Sequence, residues 1–312
     1  MRDVPELGFV AVRDGVVTEA VRPEDNLFSS RLDRWTPTLR YLREYAAHHP
    51  DFGGEFLMCL YDGFREYAEP PSLDPLGRGR KRVPWSALPA SDRALFLGRG
   101  SIQEPRFRPH HPDASLYPDM PRPVLAYNRH IADGNVRLLP DAEFLENGFA
   151  GFASDVRAGD VPWESKRDVF TWRGTRNVTD RNASWHPRDV AVDASTRLGP
   201  AILDASFDRT SVADMLRSKY LLSIDGMVSP WSGLYWKLLS GSVVVQPPSH
   251  WEHWYSDRME PYVPIANFQP TVVRALHDWC RYNDAACKGI ADAGRALAES
   301  ITYTHAVEDY VI

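Results

Sequence analysis

The sequence predicts an α/β protein with parallel sheets in two domains, and three observations bear on this fold class. In the first half of the 312 residues, a helical pattern is followed by a glycine break and a continuous apolar run that ends at Asp62. In the second half, apolar runs of strand length alternate with helical patterns, which is typical of a parallel sheet. The third observation is composition: 43% hydrophobic and 25% charged residues are ordinary values for a globular protein.

The first domain is predicted to span residues 1–154. It opens with short apolar runs mixed with charge, which indicate irregular chain or short strands up to residue 35. The run EFLMCLY at residues 55–61 shows no polar alternation and is typical of a strand buried on both faces. Residues 68–122 are rich in Pro, Arg, His and Asp, so long loops are expected there. The other predicted elements are helices at 36–49 and near 89–96, a strand at 123–127, and mixed loop and helix at 134–153.

The second domain is predicted to span residues 155–300, and it begins with a polar connection at 155–166. Strand and helix patterns alternate through it, and the residues that remain, 301–312, form a helical tail. Its predicted strands are 169–172, 201–205, 220–224 and 242–246. Its predicted helices are 186–198, 211–217, 232–239, 270–282 and 285–300, followed in the tail by 304–310.

Charge and composition exclude several classes of function. The formal net charge of −6 argues against a nucleic-acid-binding protein, which usually shows a basic excess. No run of about 18 apolar residues exists, so no membrane span is expected. The first 21 residues carry charges of both signs, unlike a secretory signal, so a cytoplasmic protein is expected, free or peripheral at the inner face of a membrane. Three cysteines without close spacing indicate neither a disulfide framework nor a metal pair.

Asp62 is the candidate general base. It follows a buried strand and precedes Gly63, so its carboxylate is expected at the carboxyl end of that strand, where α/β proteins bind ligands. A base placed there accelerates proton abstraction from a hydroxyl by about 10²–10⁴-fold. The alternative is an Asp that caps the next turn or helix.

Arg173, Gly174, Thr175 and Arg176 form a candidate phosphate-binding turn directly after a strand. Gly174 would let the backbone approach a ligand closely, and its amide together with a guanidinium would bind phosphate oxygens. The alternative is an ordinary surface turn with two solvated arginines.

The segment from Ser229 to Gly233 is a second candidate anion site, because it lies between a strand that ends near Asp225-Gly226 and a helix that begins near Ser232. Helix N-termini bind anions through free amides and the helix dipole. The segment matches neither the dinucleotide nor the P-loop motif, and no nucleophile elbow is present. Ser232 fits a plain N-cap equally well.

His250, Glu252 and His253 stand close together in a stretch that also contains two tryptophans. A metal site is one interpretation, but the two histidines are three residues apart rather than four, as the zincin motif requires. A Glu beside a ribose, or simple aromatic packing, are the other interpretations. We therefore expect no metal and no cofactor.

Taken together, these motifs resemble glycosyltransferase family 90, which includes capsule-associated proteins, protein O-glucosyltransferases and lipopolysaccharide-modifying enzymes. The resemblance covers roughly residues 52–310. It is most specific at Trp163 to Arg176, where the family shows a Trp, a Lys and then aromatic-x-Arg-Gly-Thr/Ser, and at Lys219 to Val245, with its Lys-Tyr, Asp-Gly, Ser-Gly, Leu-Leu and Ser-Val-Val motifs. Trp251 to Pro264 resembles the family's Trp…Leu-x-Pro…Tyr-Val-Pro ending, here with Pro261 directly before Tyr262.

The resemblance implies a GT-B architecture, in which two Rossmann-like domains flank a cleft and the last helix crosses back to the first domain. It also implies an inverting, metal-independent transfer from a UDP-sugar to a hydroxyl, with Asp62 as the base. Arg173, Gly174 and Thr175 would face the nucleotide or its phosphates. Four residues would shape the donor pocket: Asp225, Gly226, Ser232 and Gly233.

One position departs from the family pattern. Many members carry an Arg after the Ser-Gly pair, where this chain has Leu234. Losing a preorganised charge donor typically costs a few kcal/mol of barrier. Lys237, Lys219, Arg176 or the helix N-terminus would have to replace it, and Glu252 is a further candidate for the nucleotide. A non-catalytic nucleotide-sugar or glycan-binding protein is the alternative function.

The donor sugar is expected to be glucose or xylose. The acceptor is expected to be a hydroxyl of a glycan, a surface polysaccharide or a lipid-linked glycan such as lipopolysaccharide.

Overall fold

A computed structural model describes the following residues of the chain: 7–21, 34–60, 122–130, 134–176, 187–208, 210–226, 230, 232–247, 249, 251–259 and 268–312. Asp62, His250 and the helix predicted near residues 89–96 lie outside the described residues. Two compact units make up the chain. The first comprises Met1–Glu146, His250–Trp254 and Tyr303–Ile312, and the second comprises Asn147–Ser249 and Tyr255–Thr302.

Helices and strands alternate through most of the described chain. The strands are β1 (Leu7–Arg13), β2 (Val16–Val21), β3 (Gly54–Cys59), β4 (Val124–Ala126), β5 (Arg129–His130), β6 (Val136–Leu138), β7 (Arg167–Arg173), β8 (Leu203–Ser206), β9 (Ser218–Leu222), β10 (Val243–Val245) and β11 (Trp251–Glu252). The helices are α1 (Trp35–His48), α2 (Ala142–Asn147), α3 (Ala150–Gly159), α4 (Pro187–Leu198), α5 (Val212–Met215), α6 (Ser232–Leu239), α7 (Pro270–Tyr282), α8 (Asp284–Ser300) and α9 (Tyr303–Glu308). None of these helices is both long and apolar enough to cross a membrane.

The sheet of the first unit is mixed, with the order β2-β1-β3-β4-β6. Strands β3, β4 and β6 are parallel, as the sequence predicts, whereas β1 is antiparallel to both of its neighbours. The hairpin between β1 and β2 turns at Asp14 and Gly15, which have φ angles of 51° and 73°. Two consecutive positive φ angles define the tight hairpin turn that Asp-Gly favours. Of the two expectations for this opening, irregular chain or short strands, the short strands are confirmed, and they form a hairpin that extends the parallel strands on one side.

The C-terminal segment packs on α1 within the first unit. The hydroxyl of Tyr41 donates a hydrogen bond of 2.7 Å to the carbonyl oxygen of Ala306. The backbone N–H of Ile312 donates one of 3.0 Å to the hydroxyl of Tyr45, and His49 bonds to the carbonyl oxygen of Val307 at 2.8 Å. These contacts hold α9 and the residues after it against a helix more than 250 residues earlier in the chain.

The sheet of the second unit is entirely parallel, with the order β10-β9-β7-β8. Phe170 of β7 is in register with Leu203 on one side and with Tyr220 on the other, and all three side chains are buried. The chain runs from β7 to β8 and then crosses back, past β7, to β9. The strand order thus reverses between β7 and β9, which makes this pair the topological switch point of a doubly wound sheet.

Two segments of the second unit differ from their sequence-based predictions. The polar connection expected at residues 155–166 is partly helical, because α3 continues to Gly159 with its polar side chains on the exposed face. A Cβ atom at Gly159 would lie 3.0 Å from the Cβ of Ala213, so this glycine allows α3 to pack closely on α5. The helix expected at 211–217 is only the single turn of α5, capped by the hydroxyl of Ser211.

Candidate functional site

The carboxyl edge of the second sheet brings three predicted segments together. Residues 174–176 follow β7, residues 223–226 follow β9, and α6 begins soon afterwards at Ser232. In a doubly wound sheet, the turns after the two strands of the switch point line the crevice where ligands bind. The residues that the sequence singled out at these turns therefore lie at the position that the topology favours for a ligand.

Arg188, in the first turn of α4, connects the two turns of the switch point. Its Nη1 donates a hydrogen bond of 2.8 Å to the carbonyl oxygen of Thr175, and its Nη2 donates one of 3.3 Å to that of Ile224. Its guanidinium also lies 5.6 Å from the centre of the Trp172 ring. A Cβ atom at Gly226 would lie only 2.9 Å from Nη2, so a glycine at this position leaves room for the guanidinium. Burial lowers the pKa of Arg188, and the charge of Asp225 opposes that shift.

Lys237 is a buried cation on α6. A Cβ atom at Gly233 would lie 3.8 Å from its Nζ, so the side chain reaches back toward the first turn of the helix. Among the described residues, no group accepts a hydrogen bond from Nζ, which lies 5.2 Å from the ring of Trp236. Burial, helped by the positive charge of Arg188, lowers the pKa of Lys237 to about 7. No carboxylate of the described residues opposes this shift.

Asp225 supplies a carboxylate at the same edge. Its Oδ2 accepts a hydrogen bond of 2.6 Å from the hydroxyl of Ser249, beyond the end of β10. Burial raises the pKa of Asp225 to about 6, while the Ser249 hydrogen bond and the charge of Arg188 lower it. We call Arg188, Asp225, Gly226, Gly233 and Lys237 the switch-point cluster. With both cations protonated and the carboxylate ionised, its side chains carry one net positive charge, which suits an anionic ligand.

The two arginines of the predicted phosphate-binding turn are held by ion pairs. Arg173 donates hydrogen bonds to the carboxylate and the carbonyl oxygen of Asp204, at 2.7 and 2.6 Å. Arg176 pairs with Asp189 of α4 at 2.6 Å, and its guanidinium is largely exposed. The sequence suggested that Gly174 lets the backbone approach a ligand. In the structure it leaves room for a neighbouring ring, because a Cβ atom there would lie 2.6 Å from the indole of Trp172. These contacts fix the turn after β7.

Lys219 lies apart from the switch-point cluster, at the beginning of β9 and thus at the amino edge of the sheet. Its ammonium pairs with Asp168 at 2.9 Å and with Asp284 at 2.8 Å, and it lies 5.0 Å from the centre of the Trp163 ring. Although burial opposes it, these two carboxylates raise the pKa of Lys219 above its usual value. The charge of Lys219 is therefore already compensated within the fold.

Glu252 and His253 belong to the first unit. Glu252 accepts hydrogen bonds from Arg129 at 2.7 and 2.8 Å, in the two-stranded ladder of β5 and β11. His253 is buried, which lowers its pKa to about 3 and keeps the imidazole neutral. Within the described part of the chain, no three His, Cys, Asp or Glu side chains lie close enough to hold a metal ion. His250, the third residue of the metal interpretation, is not among those residues.

The carboxyl edge of the first sheet carries a second group of polar side chains. Arg34 donates a hydrogen bond of 2.8 Å to the carbonyl oxygen of Leu60, just beyond β3, and Thr38 bonds to the hydroxyl of Tyr127 at 2.7 Å. Asp141 accepts a hydrogen bond of 3.2 Å from the backbone N–H of Phe144 and so caps α2. Burial raises the pKa of Asp141 to about 7. Asp62 follows Leu60 closely in sequence, but the structure does not describe it.

A comparison with protein families identifies the C-terminal half of the chain. The sequence model of the family described as Glycosyl transferase family 90 matches residues 152–312, which is just over half of the chain. This chain belongs to glycosyl transferase family 90. The matched part of the family 90 chain contains the whole switch-point cluster, whereas Asp62 lies before it.

Curated relatives are similar to the chain over shorter stretches. O-glucosyltransferase rumi of Drosophila pseudoobscura pseudoobscura is 24% identical over 163 residues, which cover 45% of this chain and 38% of that protein. The protein of the same name from Drosophila melanogaster is 26% identical over 155 residues, or 45% and 37%. Uncharacterized protein 035R of Invertebrate iridescent virus 3 is 31% identical over 88 residues, 27% of this chain and 8% of the viral protein. The chain thus matches well under half the length of each relative.

Sequence reasoning missed Arg188 as a site residue of this family 90 chain. One signal was available in the sequence. Arg188 lies in the first turn of α4, the helix after β7, and the N-terminus of a helix is a common place for anions to bind. Leu234, where an Arg was expected, is buried in the core and presents no charge. The positive charge at this edge comes instead from Arg188 and Lys237.

Proposed function

We propose that this chain is an inverting, metal-independent glycosyltransferase that moves a sugar from a UDP-sugar to a hydroxyl group of a glycan. In this proposal the switch-point cluster binds the diphosphate of the donor. Asp62, in the first unit, is the base that deprotonates the acceptor hydroxyl. A GT-B architecture, which the family resemblance implies, is part of this proposal.

The observation that carries this proposal is the pair of cations at the switch point, buried Lys237 and half-buried Arg188. The ammonium of Lys237 has no hydrogen-bond acceptor among the described residues, and it lies near a second positive charge on Arg188. Burying a charge without a partner is costly, so such a group is maintained where a ligand supplies the opposite charge. A diphosphate carries two negative charges and accepts several hydrogen bonds, and it therefore matches this pair.

The same cations support the chemical step. When the glycosidic bond to the donor breaks, negative charge develops on the leaving diphosphate. Donors that are already in place at that charge typically lower the barrier by about 3–4 kcal/mol each. Lys237 and Arg188 would act in this way without a metal ion, and so replace the Arg expected at the position of Leu234.

The remaining predicted donor residues take positioning roles in this proposal. Gly226 leaves space for the guanidinium of Arg188, and Gly233 lies beside the ammonium of Lys237. Arg173, Gly174 and Arg176 hold the turn after β7 through Asp204, Trp172 and Asp189, and Thr175 holds Arg188 through its carbonyl oxygen. Ser232 begins α6. Lys219 and Glu252 are paired within the fold, so the proposal gives them no contact with the donor.

The transferred sugar is proposed to be glucose, with xylose as the second choice. Support for glucose comes from the relatives named O-glucosyltransferase rumi, whose name describes transfer of glucose to an oxygen. The acceptor is proposed to be a hydroxyl on a glycan, surface polysaccharide or lipid-linked glycan. A protein that binds a nucleotide sugar without transferring it is the second candidate, and the charge-free Leu234 is the observation that favours it.

A UDP-release assay over a panel of UDP-sugars, run in excess chelator, tests the proposal. We expect UDP release from UDP-glucose or UDP-xylose, at a rate unchanged by chelator. Binding of a UDP-sugar without release, with or without added glycan acceptors, would favour the binding protein. Neither binding nor release with any UDP-sugar would overturn both candidates.

A further inference from the structure

Asp225 has one carboxylate oxygen that is fixed by the protein and one that is not. The residue lies just beyond β9 at the switch point, and its Oδ2 accepts the hydrogen bond from Ser249. Its Oδ1 is buried and, within the described ranges, accepts no hydrogen bond. The Ser249 contact thus orients the carboxylate and leaves a single oxygen without a donor.

A buried carboxylate oxygen without a donor is unfavourable, because it has lost the water that would otherwise bind to it. The elevated pKa of Asp225 is consistent with this, since burial is its largest cause. At pH 7.5 the group is still mainly ionised, so Oδ1 only accepts hydrogen bonds. A ligand that satisfies it must present an O–H or N–H group, which a diphosphate does not have.

We propose that Oδ1 of Asp225 accepts a hydrogen bond from a sugar hydroxyl of the bound nucleotide sugar and makes the site selective for ligands that carry that hydroxyl. This inference rests on the proposed function, because the nucleotide sugar is the ligand proposed there. Arg188 and Lys237 then bind the phosphates while Asp225 binds a hydroxyl on an adjoining ring. Both the ribose and the transferred sugar offer such hydroxyls, and the experiment distinguishes them.

The test is a set of calorimetric titrations at pH 7.5 with UDP-glucose and its single-deoxy analogues. Removal of the ribose 2′- or 3′-hydroxyl gives one arm, and removal of the glucose hydroxyls, one at a time, gives the other. Each ligand is titrated into the wild type, into Asp225→Ala and into Asp208→Ala. Asp208 is an exposed carboxylate beyond the end of β8. Asp208→Ala therefore removes the same charge as Asp225→Ala but leaves Asp225 in place. Thermal melting confirms that each variant is folded.

We expect one deoxy analogue to bind the wild type and Asp208→Ala at least about tenfold more weakly than UDP-glucose does. Asp225→Ala should bind that analogue and UDP-glucose equally. Asp225→Val is the substitute if the alanine variant does not fold. It places no hydrogen-bonding group at the position of Oδ1, so it should lose the same selectivity.

Two results would overturn the inference while leaving the proposed function intact. One is that all deoxy analogues bind the wild type as tightly as UDP-glucose. The other is that the selectivity persists in the Asp225 variants. Absence of any binding of UDP-glucose and UDP to the wild type would instead reject the proposed function, and the inference with it.

Discussion

Arg188 lies close enough to Lys237 for its positive charge to lower the pKa of the Lys237 ammonium. Lys237 is buried and Arg188 is half-buried, so the two cations repel each other with little screening, and the fold gains nothing from the pair itself. Arg188 is tied to the carbonyl oxygens of Thr175 and Ile224, so it cannot easily turn away. The arrangement is explained if a dianion enters between these groups, and the following predictions test that explanation.

Donor binding should weaken as the pH rises above 7. The pKa of free Lys237 is about 7, so at higher pH the free protein loses the charge that the diphosphate requires. The affinity for UDP-glucose should then fall by up to about tenfold per pH unit. Calorimetric titrations from pH 6 to pH 9 measure this, and the diphosphate of UDP-glucose has no ionisation of its own in that range. Lys237→Arg, which stays protonated, should flatten the profile. An equally flat wild-type profile would contradict the role of Lys237.

Lys237→Met should stabilise the protein while it weakens donor binding. The folded pKa of about 7 lies below the ordinary value of 10.5, so the unfolded state binds more protons near neutral pH. Burial of the ammonium therefore costs on the order of 5 kcal/mol below pH 7, and this cost disappears as the pH rises toward 10. We expect the variant to melt at least about 3 °C higher at pH 6.5.

The matched control for this substitution is Lys288→Met, which removes a lysine from the exposed surface of α8. This variant should melt within about 1 °C of the wild type and should bind UDP with the same affinity. A lower melting temperature for Lys237→Met than for the wild type would show that Lys237 has a structural partner.

Lys219→Met should lower stability without affecting the donor site. Lys219 joins Asp168 and Asp284 at the amino edge of the sheet, so its loss leaves two carboxylates without a cation. We expect a loss of about 1–2 kcal/mol in the free energy of unfolding, measured by urea denaturation. The affinity of the folded variant for UDP should equal that of the wild type. A large loss of affinity would place Lys219 in the donor site, as the sequence motif alone suggested.

Asp62→Asn should slow transfer and leave donor binding unchanged. The amide cannot accept the proton of the acceptor hydroxyl, so kcat should fall by about 10²–10⁴-fold. Asp51→Asn is the control, because Asp51 is an exposed carboxylate nearby in the sequence. Initial rates and UDP-sugar titrations on both variants separate the two effects. Full activity of Asp62→Asn would exclude Asp62 as the base.

Much of the fold follows from local pattern. The limits of α6 and α7 match the predicted helices, because turn residues bound both of them. The hairpin of β1 and β2 was expected only as irregular chain or short strands, although Asp14-Gly15 is a strong local signal for a two-residue turn. Helix α3 was partly assigned to a connection because its exposed polar residues hide its periodicity.

The site was only partly predictable, because side-chain partners depend on contacts distant in sequence. Asp225 and Gly233 were identified by their position after a strand and at a helix start. Arg188 was not, because its importance comes from the carbonyl groups and the second cation that the fold brings to it. Lys219 matched a motif, and only the structure places its charge between Asp168 and Asp284.

Comparison of UDP with uridine tests the central claim most directly, because the two ligands differ only in the diphosphate. We expect wild-type protein to bind UDP at least about 100-fold more tightly than uridine at pH 6.5 in calorimetric titrations, since two charged contacts are each worth about 1.5–3 kcal/mol. Arg188→Met and Lys237→Met should each reduce that preference at least tenfold, while Arg197→Met, on the exposed face of the same helix as Arg188, should not. An undiminished preference in both variants, or no preference in the wild type, would contradict the assignment of the switch-point cluster to the donor diphosphate.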